Sequence, residues 1–244
     1  NERLCKDDLI TVQIVENECS DNIAPVNLPL DIAYEDDDII VINKPFDMPA
    51  HPSAGNHDNT LANALMYYYG SQNKPFVYRC INRLDRDTTG LTIVAKHALA
   101  GGILGNAVAK RAIHRTYYAV CSGCTPICMR ISAPIARKDA STIERCVDFK
   151  RGENAVTDFI RIKYNPDNNL SLVKLRLLTG RTHQIRVHMK YIGFPLIGDF
   201  LYNPDYTYIS RQALHSGRLV FTHPVTGQKM NLISDIPSDM KSLF

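Results

Sequence analysis

The segment richest in groups able to do chemistry is Arg83-Leu84-Asp85-Arg86-Asp87-Thr88-Thr89-Gly90, where two carboxylates lie between and beside two arginines. Nearby guanidinium charges favour the ionised carboxylate, the form a carboxylate nucleophile requires. The same composition fits a solvated turn with local Arg–Asp pairs, each worth about 0–1 kcal/mol. A second polar run, Thr179-Gly180-Arg181-Thr182-His183-Gln184, leads into a predicted helix that carries Arg186. Free N–H groups at a helix start can meet an anion. Arg186, one turn inside, could grip a carboxylate with two parallel hydrogen bonds. A capped helix with an arginine face is the plainer alternative.

Arg115-Thr116-Tyr117-Tyr118 puts adjacent tyrosines on a predicted strand beside basic residues. Their side chains then point to opposite faces, one to a core and one to a cleft. A ring exposed beside arginine can stack on an unpaired base; a buried ring is simply core. Metal chemistry finds little support. His183 and His188 are five residues apart and do not share a helix face. Cys121, Cys124 and Cys128 have metal-like spacing, but no second Cys or Cys/His pair follows to complete four ligands. They read as small residues at a strand end. With no secretory signal, the seven cysteines read as reduced thiols.

The elements that must position these residues are short. Strands are predicted over 38–43, 91–95, 115–121, 155–164, 170–178, 218–222 and 228–233, with a weaker one over 9–15. The turn-forming run Asn165-Pro166-Asp167-Asn168-Asn169 makes 155–164 and 170–178 a hairpin. Asp58-Asn59-Thr60 caps a helix carrying Leu61, Leu65 and Met66, and another spans about 97–111 despite Gly101, Gly102 and Gly105. Ile185, His188, Met189 and Ile192 have helical spacing. Many strands, tight turns and few helices give an α+β fold around a mostly antiparallel mixed central sheet with flanking helices.

The net charge of +3 hides an uneven distribution. Residues 1–40 hold eleven acids and two bases, which leaves about +12 on the remainder by subtraction. Solvated faces or a groove for a polyanion would each account for this, since lysine and arginine displace counterions from phosphates. No apolar run is long enough to span a membrane, and no signal peptide is evident, so a cytoplasmic protein is expected.

Together these segments resemble the RluA-type family of pseudouridine synthases, from about residue 28 onward and in order. Leu30 to Asp36 and Val41-Ile42-Asn43-Lys44-Pro45 resemble its opening strands, and Ala50-His51-Pro52-Ser53 the loop after them. Arg83 to Leu91 resembles the active-site motif and Thr179 to His188 the second signature. Gly198-Asp199, Arg211 to His215 and Phe221 to Gly227 complete the series.

The resemblance implies an isomerase that converts uridine in ribosomal or transfer RNA to pseudouridine by flipping the base, within an active-site cleft. Asp85 would be the catalytic aspartate, with Asp87 a structural neighbour. Arg83 would enter the RNA stack, Tyr117 stack on the flipped base, and Arg186 pair with and orient Asp85. Arg86 and Arg181 would contact RNA. No cofactor and no metal are expected, and the chain would act as a monomer on structured RNA without a membrane. Residues 1–22 would be the tail of an N-terminal RNA-binding module or a linker, and 23–244 the catalytic domain. Two departures stand out: Asn82 where the family usually has histidine, and the glycine-rich stretch 101–105. A non-catalytic RNA binder and an aspartate-dependent hydrolase are the competing classes. The joint presence of Asp85, Tyr117 and Arg186 disfavours the first; the lack of a water-activating acid or metal set disfavours the second.

Overall fold

The computed structural model describes residues 3–9, 18–53, 55–139 and 143–244. The strand expected over 9–15 falls, apart from Leu9, outside them. The chain opens with β1 (Ile32–Glu35) and β2 (Ile39–Lys44), then α1 (Leu61–Gly70), β3 (Arg79–Cys80) and β4 (Thr89–Ala95). Next come α2 (Ala98–Ala109), β5 (His114–Ser122), β6 (Cys128–Ser132), β7 (Ile135–Arg137) and β8 (Arg145–Val147). The hairpin β9 (Val156–Asn165) and β10 (Leu170–Leu177) leads to α3 (Gln184–Tyr191). β11 (Leu214–Thr222), β12 (Lys229–Ile233) and the short α4 (Ser238–Lys241) finish the chain.

Ten strands form one sheet in the order β1-β2-β4-β11-β5-β10-β9-β6, with β3 added to β4 and β12 to β11; β7 and β8 pair separately. The expected α+β architecture holds. Among the described residues the one parallel pairing, between β4 and β11, is two residues long: His215 opposite Thr89 and Ser216 opposite Gly90. Beyond it the sheet divides, as β11 turns to β12 from Arg218 onward and β4 to β3 at Val94 and Ala95. Gly90 permits this seam. Its φ is +107°, and a Cβ there would lie 2.3 Å from the Ser216 carbonyl oxygen.

Local signals explain the helices. The Thr60 hydroxyl accepts from Asn63 N–H while the Asn63 side chain accepts from Thr60 N–H, a capping box at the start of α1. His97 caps α2 through Nδ1, and α2 holds its form through Gly101 and Gly105 by burying Ala100 and Leu104. In α3, Ile185 and Met189 pack against Leu84, Tyr117 and Leu175 in one core cluster. Where the sequence reading fell short, polarity was the reason. β11 begins at Leu214, four residues earlier than expected. His215 and Ser216 are buried there with their polar atoms bonded to Thr89 and to the Leu91 carbonyl. Hydropathy gave no sign of β6, β7 or β8.

Candidate active site

The loop Arg83–Thr88 precedes β4 and is pinned on three sides. Asn82 is buried; its side chain accepts from Ile93 N–H at 2.8 Å and donates to the Leu91 carbonyl. Lys44, at the end of β2 and 1% exposed, donates to the carbonyls of Pro45 and Arg86. Burial pushes its ammonium down to about 7, against the charges of Asp87 and Asp85. From β11's side, Gln212 donates to Thr88 Oγ1 at 2.6 Å. Leu84 enters the core, while Arg83 is exposed and Asp85 partly so.

Arg186 rises from α3 beneath this loop. It is 2% exposed, donates to Asp199 through Nε and Nη2 at 2.7 and 2.8 Å, and to Asp85 Oδ2 through Nη1 at 2.9 Å. Burial opposes its charge, but the bonds to Asp199 and the two carboxylate charges outweigh that and raise its pKa. The rings of Tyr202 and Phe200 flank the guanidinium at 4.9 and 5.3 Å. Asp85 keeps 31% of its side chain exposed, so its second oxygen remains available.

His183 completes the rim. Its Nε2 lies 3.8 Å from Asp85 Oδ2 and its Nδ1 3.0 Å from the Tyr202 hydroxyl. That hydroxyl also accepts from Arg145 N–H at 2.9 Å, which fixes the Tyr202 ring beside the imidazole. Burial keeps the imidazole pKa low, with Asp85 pulling the other way. His188 points elsewhere, buried against Thr157 and the Ala133 carbonyl. Cys121 is buried, while Cys124 and Cys128 are exposed.

Asp85 stands where a wide cleft meets a small recess. The cleft, about 990 Å³, is lined by Arg83, Arg86, Arg111, Arg115, Arg176 and Arg181, with Asp85 the one acid among its lining residues. The recess, about 100 Å³, has Tyr117, Ile185 and Leu214 in its wall and Asp85 and Arg186 at its polar side. The recess opens into the cleft, since Arg83, Leu84, Asp85 and Arg115 line both. The cleft walls favour a polyanion.

Asp85, Tyr117 and Arg186 therefore meet at one place. Arg83 is exposed at the mouth. Arg86 also lines the cleft, where it holds the buried Asp87 with two bonds at 3.1 Å. Arg181 lines both cavities but is tied to Glu153 and the Asn154 carbonyl. Sequence reasoning gave no role to Asp199, His183 or Lys44. The only signal for Asp199 was its place in the Gly198-Asp199 motif of the family series. Nothing local marked Lys44.

Residues 38–191 match the family pattern described as RNA pseudouridylate synthase. The RNA pseudouridine synthase YjbO of Bacillus subtilis is 40% identical over 238 residues, covering 97% of this chain and 83% of that protein. Ribosomal large subunit pseudouridine synthase D of Haemophilus influenzae is 41% identical over 245 aligned positions, covering 95% of this chain and 75% of that protein. Among solved structures, human RNA pseudouridylate synthase domain containing 1 superposes with a TM-score of 0.71 at 26% identity, covering 85% of this chain and 83% of that one.

Proposed function

The chain belongs to the RluA-type family of RNA pseudouridylate synthases and is an isomerase acting on RNA, and we propose that its target is a uridine of large-subunit ribosomal RNA, isomerised at Asp85. The reading is carried by one observation. Asp85 sits where the cleft opens into a small recess walled by the Tyr117 ring, held by an arginine that is 2% exposed.

A stacked base hides its reactive atoms, so the nucleotide must leave the stack. In this reading Arg83, free at the cleft mouth, fills the gap that remains. The uracil enters the recess and meets the Tyr117 ring. Asp85 acts at the sugar–base bond. The C1′–N1 bond breaks, the base turns, and a C1′–C5 bond forms. The proton lost from C5 is matched by one gained at N1, so no oxidant or reductant is needed. Arg186 keeps the carboxylate charged and aimed, and Nε2 of His183 lies 3.8 Å from the same oxygen. The cleft arginines hold the flanking phosphates, with Arg181 among them and Arg86 acting chiefly by fixing Asp87.

Ribosomal RNA is favoured over transfer RNA because several of the relatives, including that of Haemophilus influenzae, carry the large ribosomal subunit in their names. We propose residues 1–22 as the tail of an RNA-binding module or a linker, and 23–244 as the catalytic domain acting as a monomer in the cytoplasm. Among the described residues, no helix is long and apolar enough to cross a membrane.

The test is pseudouridine mapping in a strain lacking the gene, complemented with wild type or Asp85→Asn. Loss at a large-subunit position, restored by wild type alone, is expected. Intact ribosomal RNA with a missing transfer RNA pseudouridine would contradict the choice of target.

A further inference from the structure

One end of the central sheet's outer face is uncovered. Its inner face carries Tyr117, Leu175 and Phe159 into the core below the recess. The alternate residues point outward, and toward the other end they are covered by the C-terminal residues Ile236, Met240, Leu243 and Phe244. Toward the end nearest the cleft nothing among the described residues covers them. A groove of about 500 Å³ remains there, lined among others by His114, Lys174, Arg176 and Arg218.

The register makes this groove regular. Arg218 of β11 lies opposite Thr116, Thr116 opposite Arg176, Arg176 opposite Asp158, and Asp158 opposite Arg130. Adjacent strands are about 4.8 Å apart, so Arg218, Arg176 and Arg130 recur at intervals of about 10 Å across the face. Arg130 is neutralised by a two-pronged pair with Asp158, at 2.6 and 2.8 Å. Arg218 donates only to the neutral Asn231, and Lys174 and Arg176 make no ion pair among the described residues. Exposed Ile160 lies beside Lys174 in the next row. The groove is continuous with the catalytic cleft, because His114, Arg115 and Arg176 line both.

We propose that this outer sheet face is a second RNA-contact surface, which takes the backbone of the segment leaving the cleft. The inference rests on the chain acting on RNA. Lys174, Arg176 and Arg218 bring three positive charges to the groove against the one carboxylate of Asp158, which Arg130 already holds, so the surplus suits phosphates rather than an apolar protein patch, and the shared residues give the strand a path between the two sites.

The test compares wild type with Lys174→Glu/Arg218→Glu, both exposed and outside the recess. The probes are oligouridylates of about 20 and about 5 nucleotides, the shorter too short to leave the cleft. The double variant is expected to bind the longer oligomer about tenfold more weakly and to flatten its salt dependence by about 1.4 in log–log slope, two contacts at about 0.7 each. Binding of the shorter oligomer stays within about twofold. Lys74→Glu, beyond the end of α1 at the far end of the sheet, makes half that change in net charge away from the groove and leaves both unchanged. Equal weakening of both oligomers, or an effect matched by Lys74→Glu, would overturn the surface. Unchanged binding of the longer oligomer would overturn it too and assign the face to a protein. Wild type that binds neither oligomer would instead count against the RNA reading itself.

Discussion

Arg186 donates to Asp85 at 2.9 Å from a position that is 2% exposed, so the carboxylate is oriented from below by a group that water does not reach. The same guanidinium is clamped by Asp199 on its other edge. A lysine could neutralise Asp85 but could not hold both partners at fixed angles. Arg186→Lys is therefore expected to lower kcat at least about 100-fold with a smaller change in KM, the loss typical of one preorganised electrostatic contact. Single-turnover assays would check it, and unchanged kcat would remove Arg186 from the site.

Asp199→Asn separates positioning from charge. It leaves Arg186 buried with only Asp85 to neutralise it. Breaking one side of a buried pair costs about 3–5 kcal/mol. A fall of that size in unfolding free energy, seen in urea titrations together with reduced kcat, is expected.

Tyr117 is 4% exposed and contributes a ring to the recess wall. If the ring is the working part, Tyr117→Phe keeps RNA affinity within about twofold, while Tyr117→Ala loses about 1–3 kcal/mol of binding, as stacked bases do. Equal loss in both variants would assign the role to the hydroxyl.

His215 sets an acid limit. Burial pushes its imidazole down to about 4, against about 6.5 in the unfolded chain. Above pH 6.5 it is neutral in both states and its contribution is fully present. As pH falls from about 6.5 to about 4, only the unfolded chain gains the proton, and stability drops by about 3 kcal/mol from this group alone. Denaturation curves across that window should show the fall, and His215→Asn should flatten that part of it.

Much of this was legible in the sequence. The strands over 115–121, 155–164 and 170–178 and the helix at 185–192 showed in their periodicity, and each lies within about two residues of its expected bounds. The meeting of Asp85, Tyr117 and Arg186 came from motifs arriving in order, not from any one segment, since the loop alone reads more readily as a solvated turn than as an active site. The remainder was hidden where polarity is buried. His215 and Ser216 form a strand because their polar atoms are bonded inside, and Lys44 is buried because two carbonyls receive it. Asp199 follows Arg186 by thirteen residues, and only the turn after α3 brings them together. The two-pronged hold of Arg86 on Asp87 was not legible either, because the burial of Asp87 is set by the fold around the loop.

The most direct test of the account is tritium release from RNA labelled at carbon five of uridine, with wild type and Asp85→Asn compared at equal folded concentration. The half-exposed carboxylate accepts one bond from Arg186 and carries no buried framework, so the variant should melt within a few degrees of wild type. Wild type should release tritium from unmodified ribosomal transcripts, and Asp85→Asn should release none above background. Release by the folded variant at the wild-type rate would contradict the assignment of Asp85 as the group that acts on uridine.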